Sequence, residues 1–580
     1  MAAESREDTY ELVEIEEFDA LSIEPRSSPK SSPNICSHPN CGNGACRRCS
    51  NQLDKAWLEA DLGKFPAKTH ARKVAKELGA KHGIIYIPGE EEKFYENSDM
   101  GPRFRQRRHF YYIAGADFPG CAVTYDITCD YLVLWIPRVE PRKVLWFGRT
   151  PTIEQCKAAS HVDDVRYIDG LEQSLCRVIH PGCTIYALHP SLVPKIGHAK
   201  VTVVIDTTQL QPAIDEARVV KTEHEIALIR RANAVSSGAH KAVLAGLKRC
   251  TTERDIEAIF TAYCIAHGAP TQAYPVIAAS GANASTLHYA DNNQPLANRQ
   301  LLVLDAGAEW RCYASDITRT IPIPRPLSTG TSTGVRTGFS SREATAIYAL
   351  VERMQEECIA RAGPGRPFLA LHVHACAVAA RGLLDLGILK VGGGGEGGGD
   401  VDEILRRGTV AAFFPHGLGH HVGLEVHDVA GRDKRLLGAV TTTAVAGAAG
   451  GRGSGSGSVS IMSMMMTKRH LVTPQMVAWM REEAFSGFRG AAERGQKLRE
   501  GMVVTIEPGI YFCREYIEGY FLNDPIHSRY INKEELNKYW DVGGVRIEDD
   551  ILITKDGYEN LTQAPKGNNM WDAINGASLE

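Results

Sequence analysis

From about Phe65 onward, hydrophobic and polar positions alternate between helical and strand patterns, through THARKVAKELG, GIIYIPG, FYYIAG, DYLVLWIP and KVLWFG. Strands interleaved with amphipathic helices predict an α/β N-terminal domain over residues 61–215. A second domain, 220–575, opens at KTEHEIALIRRANAVSSGAHKAVLAGL, where Thr222 and Glu225 form the S/T-x-x-E capping box of a helix. Another helix is expected near Glu253 to Ala266, stopped by Gly268, and a third from near Ser341 through IYALVERMQEECI. Strand-like segments lie between and after these helices.

Three stretches break the pattern. Residues 1–60 are polar, Ser/Pro-interrupted and weakly periodic, which predicts a disordered extension. It contains CSHPNCGNGACRRC, where Cys36, Cys41, Cys46, Cys49 and His38 have the atoms to hold zinc. Only the last cysteine pair has the two-residue gap of a zinc knuckle, so incidental thiols are the expectation. VGGGGEGGGD, residues 391–400, has no Lys-Ser/Thr after it and reads as a linker rather than a phosphate loop. The Gly/Ser/Met-rich run over 435–468 reads as an inserted flexible loop.

Composition narrows the classes. At 580 residues, 43% hydrophobic and 23% charged, the chain has the balance of a soluble globular protein with more than one core. A net charge of -4 argues against nucleic acid or an anionic membrane as partner, and the RFRQRRH run is expected to be solvated or ion-paired. No run of about 18 apolar residues appears. The acidic N-terminus reads neither as a secretory signal nor as a transit peptide. Fifteen scattered cysteines suggest reduced thiols and a cytoplasmic location.

The chemistry lies in acids embedded in apolar strands. LLVLDAGAEWRCYASDITRTIPI puts Asp305 at a strand end and Asp316 in a second strand, and an antiparallel return would set the two side by side. MVVTIEPGIYF places Glu507 at the end of another strand. In GGVRIEDDILIT, Glu548 shares one face with Arg546, while Val545, Ile547 and Ile551 share the other. Unpaired carboxylates in a low-dielectric interior cost several kcal/mol each, so convergence of these four calls for compensation. Two divalent cations would supply it, and oxygen-rich coordination with one imidazole suits Mn²⁺, Co²⁺ or Zn²⁺. Paired metals are a hydrolase device. FFPHGLGHHVGLEVHD offers the imidazole: Gly417, Gly419 and Gly423 argue against a helix. In an extended segment His420 and His421 point oppositely, so at most one of them is a ligand.

LDAGAEWRCYASDITRT, PHGLGHHVGLEVHD, TIEPGIYF and GGVRIEDDILIT, in this order, resemble the Xaa-Pro aminopeptidase and prolidase branch, fungal type, of the pita-bread (creatinase/aminopeptidase) metallopeptidases. FRQRRHFYYIAG and STLHYADN strengthen the likeness, which spans roughly 65–570 outside the two inserts. It implies a creatinase-like N-terminal domain and an α+β C-terminal pita-bread catalytic domain. By it, Asp305, Asp316, His420, Glu507 and Glu548 hold two Mn²⁺, with Co²⁺ or Zn²⁺ as substitutes. His288, His416, His427 and Tyr511 meet the substrate, and Arg546 orients Glu548 and its neighbours. His427 would stabilise the oxyanion, and Glu507 would relay the proton to the departing proline nitrogen. The implied reaction removes the N-terminal residue from peptides with a penultimate proline. A dipeptide-only prolidase is the alternative, and a metal-free peptide-binding pseudopeptidase is a more distant one. Peptides and a second copy of the chain, as a homodimer, are the implied partners.

Overall fold

The computed structural model describes residues 62–197, 202–326, 335–336, 338–391, 401–432 and 496–575. The cysteine-bearing extension, nearly all of 391–400 and the whole 435–468 insert lie outside the described residues. Residues from Asp61 onward cluster as one compact unit.

Helix α1 (Ala67–Leu78) buries Ala67, His70, Ala71 and Val74 on one face and ends on Gly79, whose φ of 69° suits glycine. It leads into β1 (Ile84–Pro88), α2 (Arg108–Ala114), β2 (Ala122–Asp126) and β3 (Tyr131–Ile136). Helices α3 (Pro141–Phe147) and α4 (Ile153–Ala159) precede β4 (Asp164–Tyr167), and α5 (Leu171–Val178) precedes β5 (Thr184–Tyr186) and β6 (Val204–Asp206). The sheet order is β4-β3-β2-β1-β5-β6, with β1, β2 and β3 paired antiparallel and the outer pairings parallel. Two aromatic runs that read locally like the strands around them, FYYIAG and KVLWFG, are helical, as α2 and α3. In α2 five successive apolar residues, Phe110 to Ala114, are buried, so burial on all sides replaced any face pattern.

Helix α6 (Leu210–Val219) leads to α7 (Glu223–Gly246), which opens on the expected Thr222/Glu225 capping box. Then α8 (Glu253–Ala266) ends just before Gly268, φ 82°. Strands β7 (Thr271–Gln272), β8 (Ile277–Ser280), β9 (Leu301–Asp305), β10 (Ala308–Trp310), β11 (Tyr313–Ala314) and β12 (Thr318–Pro322) follow. Of these, β8, β9 and β12 form one antiparallel sheet in the order β12-β9-β8. Helices α9 (Arg342–Ile359), capped by Ser341, and α10 (Phe368–Asp385) pack together. By length and composition α10 could cross a membrane, but Phe368, Leu371, Ala375, Ala379 and Leu383 are buried in the protein, as in a core helix.

The last part holds β13 (Val503–Ile506), β14 (Gly509–Tyr511), β15 (Gly544–Arg546), β16 (Asp549–Ile553) and β17 (Tyr558–Asn560). β13 pairs with β16, and β14 with β15, so the segment 544–553 changes partner at Ile547 and Glu548. Its alternation does not separate core from solvent. Val545, Arg546, Ile547, Glu548, Asp549 and Asp550 are all buried. A bridge between Thr318 and Glu548 joins this half to the β8-β9-β12 sheet, and one between His421 and Val504 brings in the histidine-rich segment. One apolar cluster runs from α1 and β1 to β3 through Tyr313, Val422 and Leu424. The N-terminal sheet and the carboxylate-bearing half therefore share a core.

Candidate metal centre

The β9/β12 register sets Thr318 opposite Asp305, and Ala306 N–H donates to Ile317 O. The chain between them folds back as the β10/β11 hairpin, so Asp316 lies just before β12 rather than inside a strand. A Cβ on Gly307 would collide with the Ser315 carbonyl, which is why this return needs glycine. Glu507 follows β13, and Glu548 sits at the partner switch between β15 and β16. Ligating atoms of Asp305, Asp316 and Glu548 lie within 4.8 Å of one another, as do those of His420, Glu507 and Glu548, and of Asp316, His420 and His427.

His420 and His421 do point apart. His420 Nε2 is 3.4 Å from Asp316 and 3.2 Å from Glu507. His421 Nε2 meets Gln496 Oε1 at 2.9 Å instead. The segment is not helical, and its Gly419 backbone passes so close to Thr505 that no Cβ fits. His420 Nδ1 lies 3.0 Å from the His421 carbonyl. Since a carbonyl only accepts, Nδ1 carries a proton. Against burial, Asp316 and Glu507 draw a second onto Nε2 and raise the ring well above its ordinary value, and a metal would take that second proton's place.

The electrostatics agree with a cation site. Burial, then Asp316, Glu507 and Asp305, push the Glu548 carboxyl well above the ordinary range. Burial, with Asp305 and Glu507, also raises Asp316 despite His420. Burial would raise Glu507 too, but His420 outweighs it and brings it down. Four carboxylates face one permanent cation here, Arg546, so a pair of divalent ions fits this donor set.

Arg546 bonds directly to the carboxylate of Asp305, a neighbour of Glu548 in the site. Its Nη2 donates to Asp305 Oδ2 at 2.6 Å, its Nη1 to Tyr511 OH at 2.9 Å and its Nε to Thr318 Oγ1 at 3.2 Å. Its hydrogen-bonded link to Glu548 runs through Thr318, whose hydroxyl donates to Glu548 at 2.6 Å. Tyr511, 2% exposed, also meets His416 Nε2 at 2.9 Å. His427 is exposed, its ring centroid 4.3 Å from that of His420 and 6.5 Å from that of the exposed His288. His420 and then burial hold His427 down at about 3, which keeps it neutral near pH 7.

Sequence reasoning missed Tyr274, whose hydroxyl lies 2.7 Å from Asp305 Oδ1 and 2.6 Å from Asp316 Oδ1. It also missed Thr318 and Thr320. The alternation in DITRT could have found them: Thr318 and Thr320 bond to Arg546 while Arg319 turns away to Asp549, 2.7 Å distant.

The family model described as metallopeptidase family M24 matches residues 227–555. The chain belongs to family M24. The model of the aminopeptidase P N-terminal domain matches residues 67–186 of this M24 chain. A protein of Chaetomium globosum called probable Xaa-Pro aminopeptidase is 52% identical to it, covering 99% of both chains. One of the same name from Colletotrichum graminicola is 49% identical over 98% of both. The M24 chain also shares its fold with solved structures. Aminopeptidase P from Escherichia coli in a low-pH form superposes with a TM-score of 0.64 at 23% identity, covering 88% of this chain and 99% of that one. Aminopeptidase PepP of Pseudomonas aeruginosa superposes with 0.63 at 24%, with the same coverage. The pita-bread fold with its N-terminal domain is thus present.

Proposed function

We propose that this M24 chain is a metal-dependent Xaa-Pro aminopeptidase, which hydrolyses the bond before a penultimate proline. The observation that carries the reading is the convergence of Asp305, Asp316, His420, Glu507 and Glu548 on one site beside His427, in a chain 52% identical to a relative named for that activity. Asp305, Asp316 and Glu548 would hold two cations together, with His420 Nε2 and Glu507 completing the set; manganese is our choice of metal. Ions bound there supply a nucleophile at neutral pH and polarise the scissile carbonyl.

The remaining work falls to the chain's own side chains. Arg546 and Tyr274 hold Asp305 from its two oxygens, fixing the carboxylate before ligand arrives. His427, in its neutral form, donates a hydrogen bond to the carbonyl oxygen as charge develops on it. Glu507 takes a proton and delivers it to the proline nitrogen, a poor leaving group unless protonated. His288 and His416 line the substrate, with His416 oriented by Tyr511. Peptides are the partners of this reading. Its cytoplasmic location is supported by cysteines that are free among the described residues, and fractionation of cells tests it.

Metal analysis of the purified protein alongside cleavage of Xaa-Pro-Xaa tripeptides and Xaa-Pro dipeptides with Mn²⁺ is the test. We expect two metal ions per chain and tripeptide cleavage. Cleavage of dipeptides alone would make the chain a prolidase, and one ion or none would overturn the paired centre.

A further inference from the structure

The loop that carries His427 also carries two acids whose side chains turn away from the metal centre. Asp428, one residue on, has a side chain 1% exposed; Arg218 Nη2 is 2.5 Å from one oxygen and Lys221 Nζ is 3.2 Å from the other. Those two cations are themselves 2% and 1% exposed, Arg218 at the end of α6 and Lys221 just before α7. Glu425, two residues before His427, pairs with Arg105 and, at 3.6 Å, with Arg108 Nε. The same two arginines pair with Glu309 of β10. The loop backbone is tied too: Asp428 N–H donates to His421 O at 2.8 Å, and Ala314 N–H to Gly423 O at 2.8 Å.

All four cations precede residue 227, where the M24 match begins, while both acids and His427 lie within it. Such separation makes the contact a long-range one between the N-terminal part and the catalytic part. A buried ion pair adds little net stability, and breaking one side leaves an uncompensated charge. Its best-attested use is to fix a register, which is what a loop carrying an exposed ring requires.

We propose that Arg218 and Lys221 on Asp428, with Arg105 and Arg108 on Glu425, form a clamp through which the N-terminal part of the chain positions His427. These are positioning residues, acting through His427 and not on the substrate. The proposal rests on the reading of His427 as the group that meets the substrate carbonyl.

Arg218→Lys keeps the charge and loses the guanidinium reach; Arg105→Gln acts at a side chain 51% exposed, outside the buried core. Both are compared with the wild type for metal content, kcat and KM on an Xaa-Pro-Xaa peptide, and for hydrogen exchange over 422–428. We expect unchanged metal content, KM within about twofold, and kcat lowered about tenfold or more, up to the roughly hundredfold that a misplacement near 1 Å can cost. In a His427→Ala background the same substitutions should lower kcat no further, because the residue they act through is gone. Additive losses in that cycle would overturn the clamp and leave a general structural role. Exchange at 422–428 should speed up in both variants, and this readout needs no turnover. If the wild type cleaves no proline peptide, the functional reading fails while faster exchange still reports the clamp. Unchanged exchange in both variants would sink the clamp whatever the activity.

Discussion

His420, Asp316 and Tyr274 show how single side chains divide the work. Asp316 faces both His420 and Tyr274, and its atoms belong to two of the ligand clusters. Asp316→Ala is therefore expected to abolish activity and metal uptake together, checked by elemental analysis beside an assay. Retention of two ions would contradict its place as a shared ligand. His427→Ala should keep the metal and lose most turnover, since its ring is exposed beside the ligands without a hydrogen bond that holds them. Tyr274→Phe removes one hydroxyl that touches two carboxylates, and a supporting contact of this kind is worth about 10–100-fold in metal affinity. Titration of the metal-free variant with Mn²⁺ should show that weakening, and equal affinity would reduce Tyr274 to packing. The acids were legible in the sequence because a carboxylate amid apolar strand residues is a costly anomaly. Tyr274 was not legible, since a tyrosine before a proline carries no such cost and its partners lie 31 and 42 residues away.

At the scale of elements, signals local to the chain were readable. The helix over Glu253–Ala266 and the one from Ser341 were expected where they stand, because caps and terminating glycines act within one turn. The capping box of α7 illustrates the energetics. Thr222 Oγ1 accepts from Glu225 N–H, Glu225 reaches back to Thr222 N–H at 2.8 Å, and Tyr313 donates to the same carboxylate at 3.1 Å. Thr222→Ala should cost about 1–2 kcal/mol, measured by urea unfolding, and a loss near zero would mean that water replaces the cap. What the sequence could not reveal was which elements meet. The segment around Glu548 reads as one strand of period two, yet it pairs with β14 up to Arg546 and with β13 from Asp549. That change of partner places Arg546 against Asp305. No local pattern encodes it, because it depends on how two sheets come together. The helical FYYIAG run has the same explanation: complete burial removes the amphipathic rhythm by which helices are recognised.

For the molecule as a whole, the interior holds several imidazoles that must stay neutral. Burial, then Arg319, holds His240 down at about 3, and burial, then His416, holds His372 down at about 4. In the unfolded chain each would titrate near the ordinary value of about 6.5. Because both folded values are depressed, their contribution is complete above about pH 6.5 and is lost as the pH falls, down to about 4 for His372 and 3 for His240. Each group removes about 1.4 kcal/mol per pH unit in that window, so the two together remove about 3 kcal/mol per unit, a large share of a typical 5–15 kcal/mol. Glu225 adds to this only lower down. Burial would raise it, but His70, Lys73 and the Thr222 N–H hold it at about 2, so its contribution is full above about 4.5 and falls as the pH drops from there towards 2. These groups act against the raised carboxyls of Asp316 and Glu548, which take up protons first in the folded chain, so the share of each histidine is read from its variant and not from the net curve. Urea midpoints of the wild type and of His372→Asn, taken from pH 7 to pH 4 in the presence of a chelator, isolate the part of that histidine, because the carboxyls of the site titrate alike in both. His372→Asn should flatten the slope by about one proton between pH 6.5 and 4. A slope unchanged in that variant would mean that His372 is already protonated in the folded protein and that its burial is relieved on acidification.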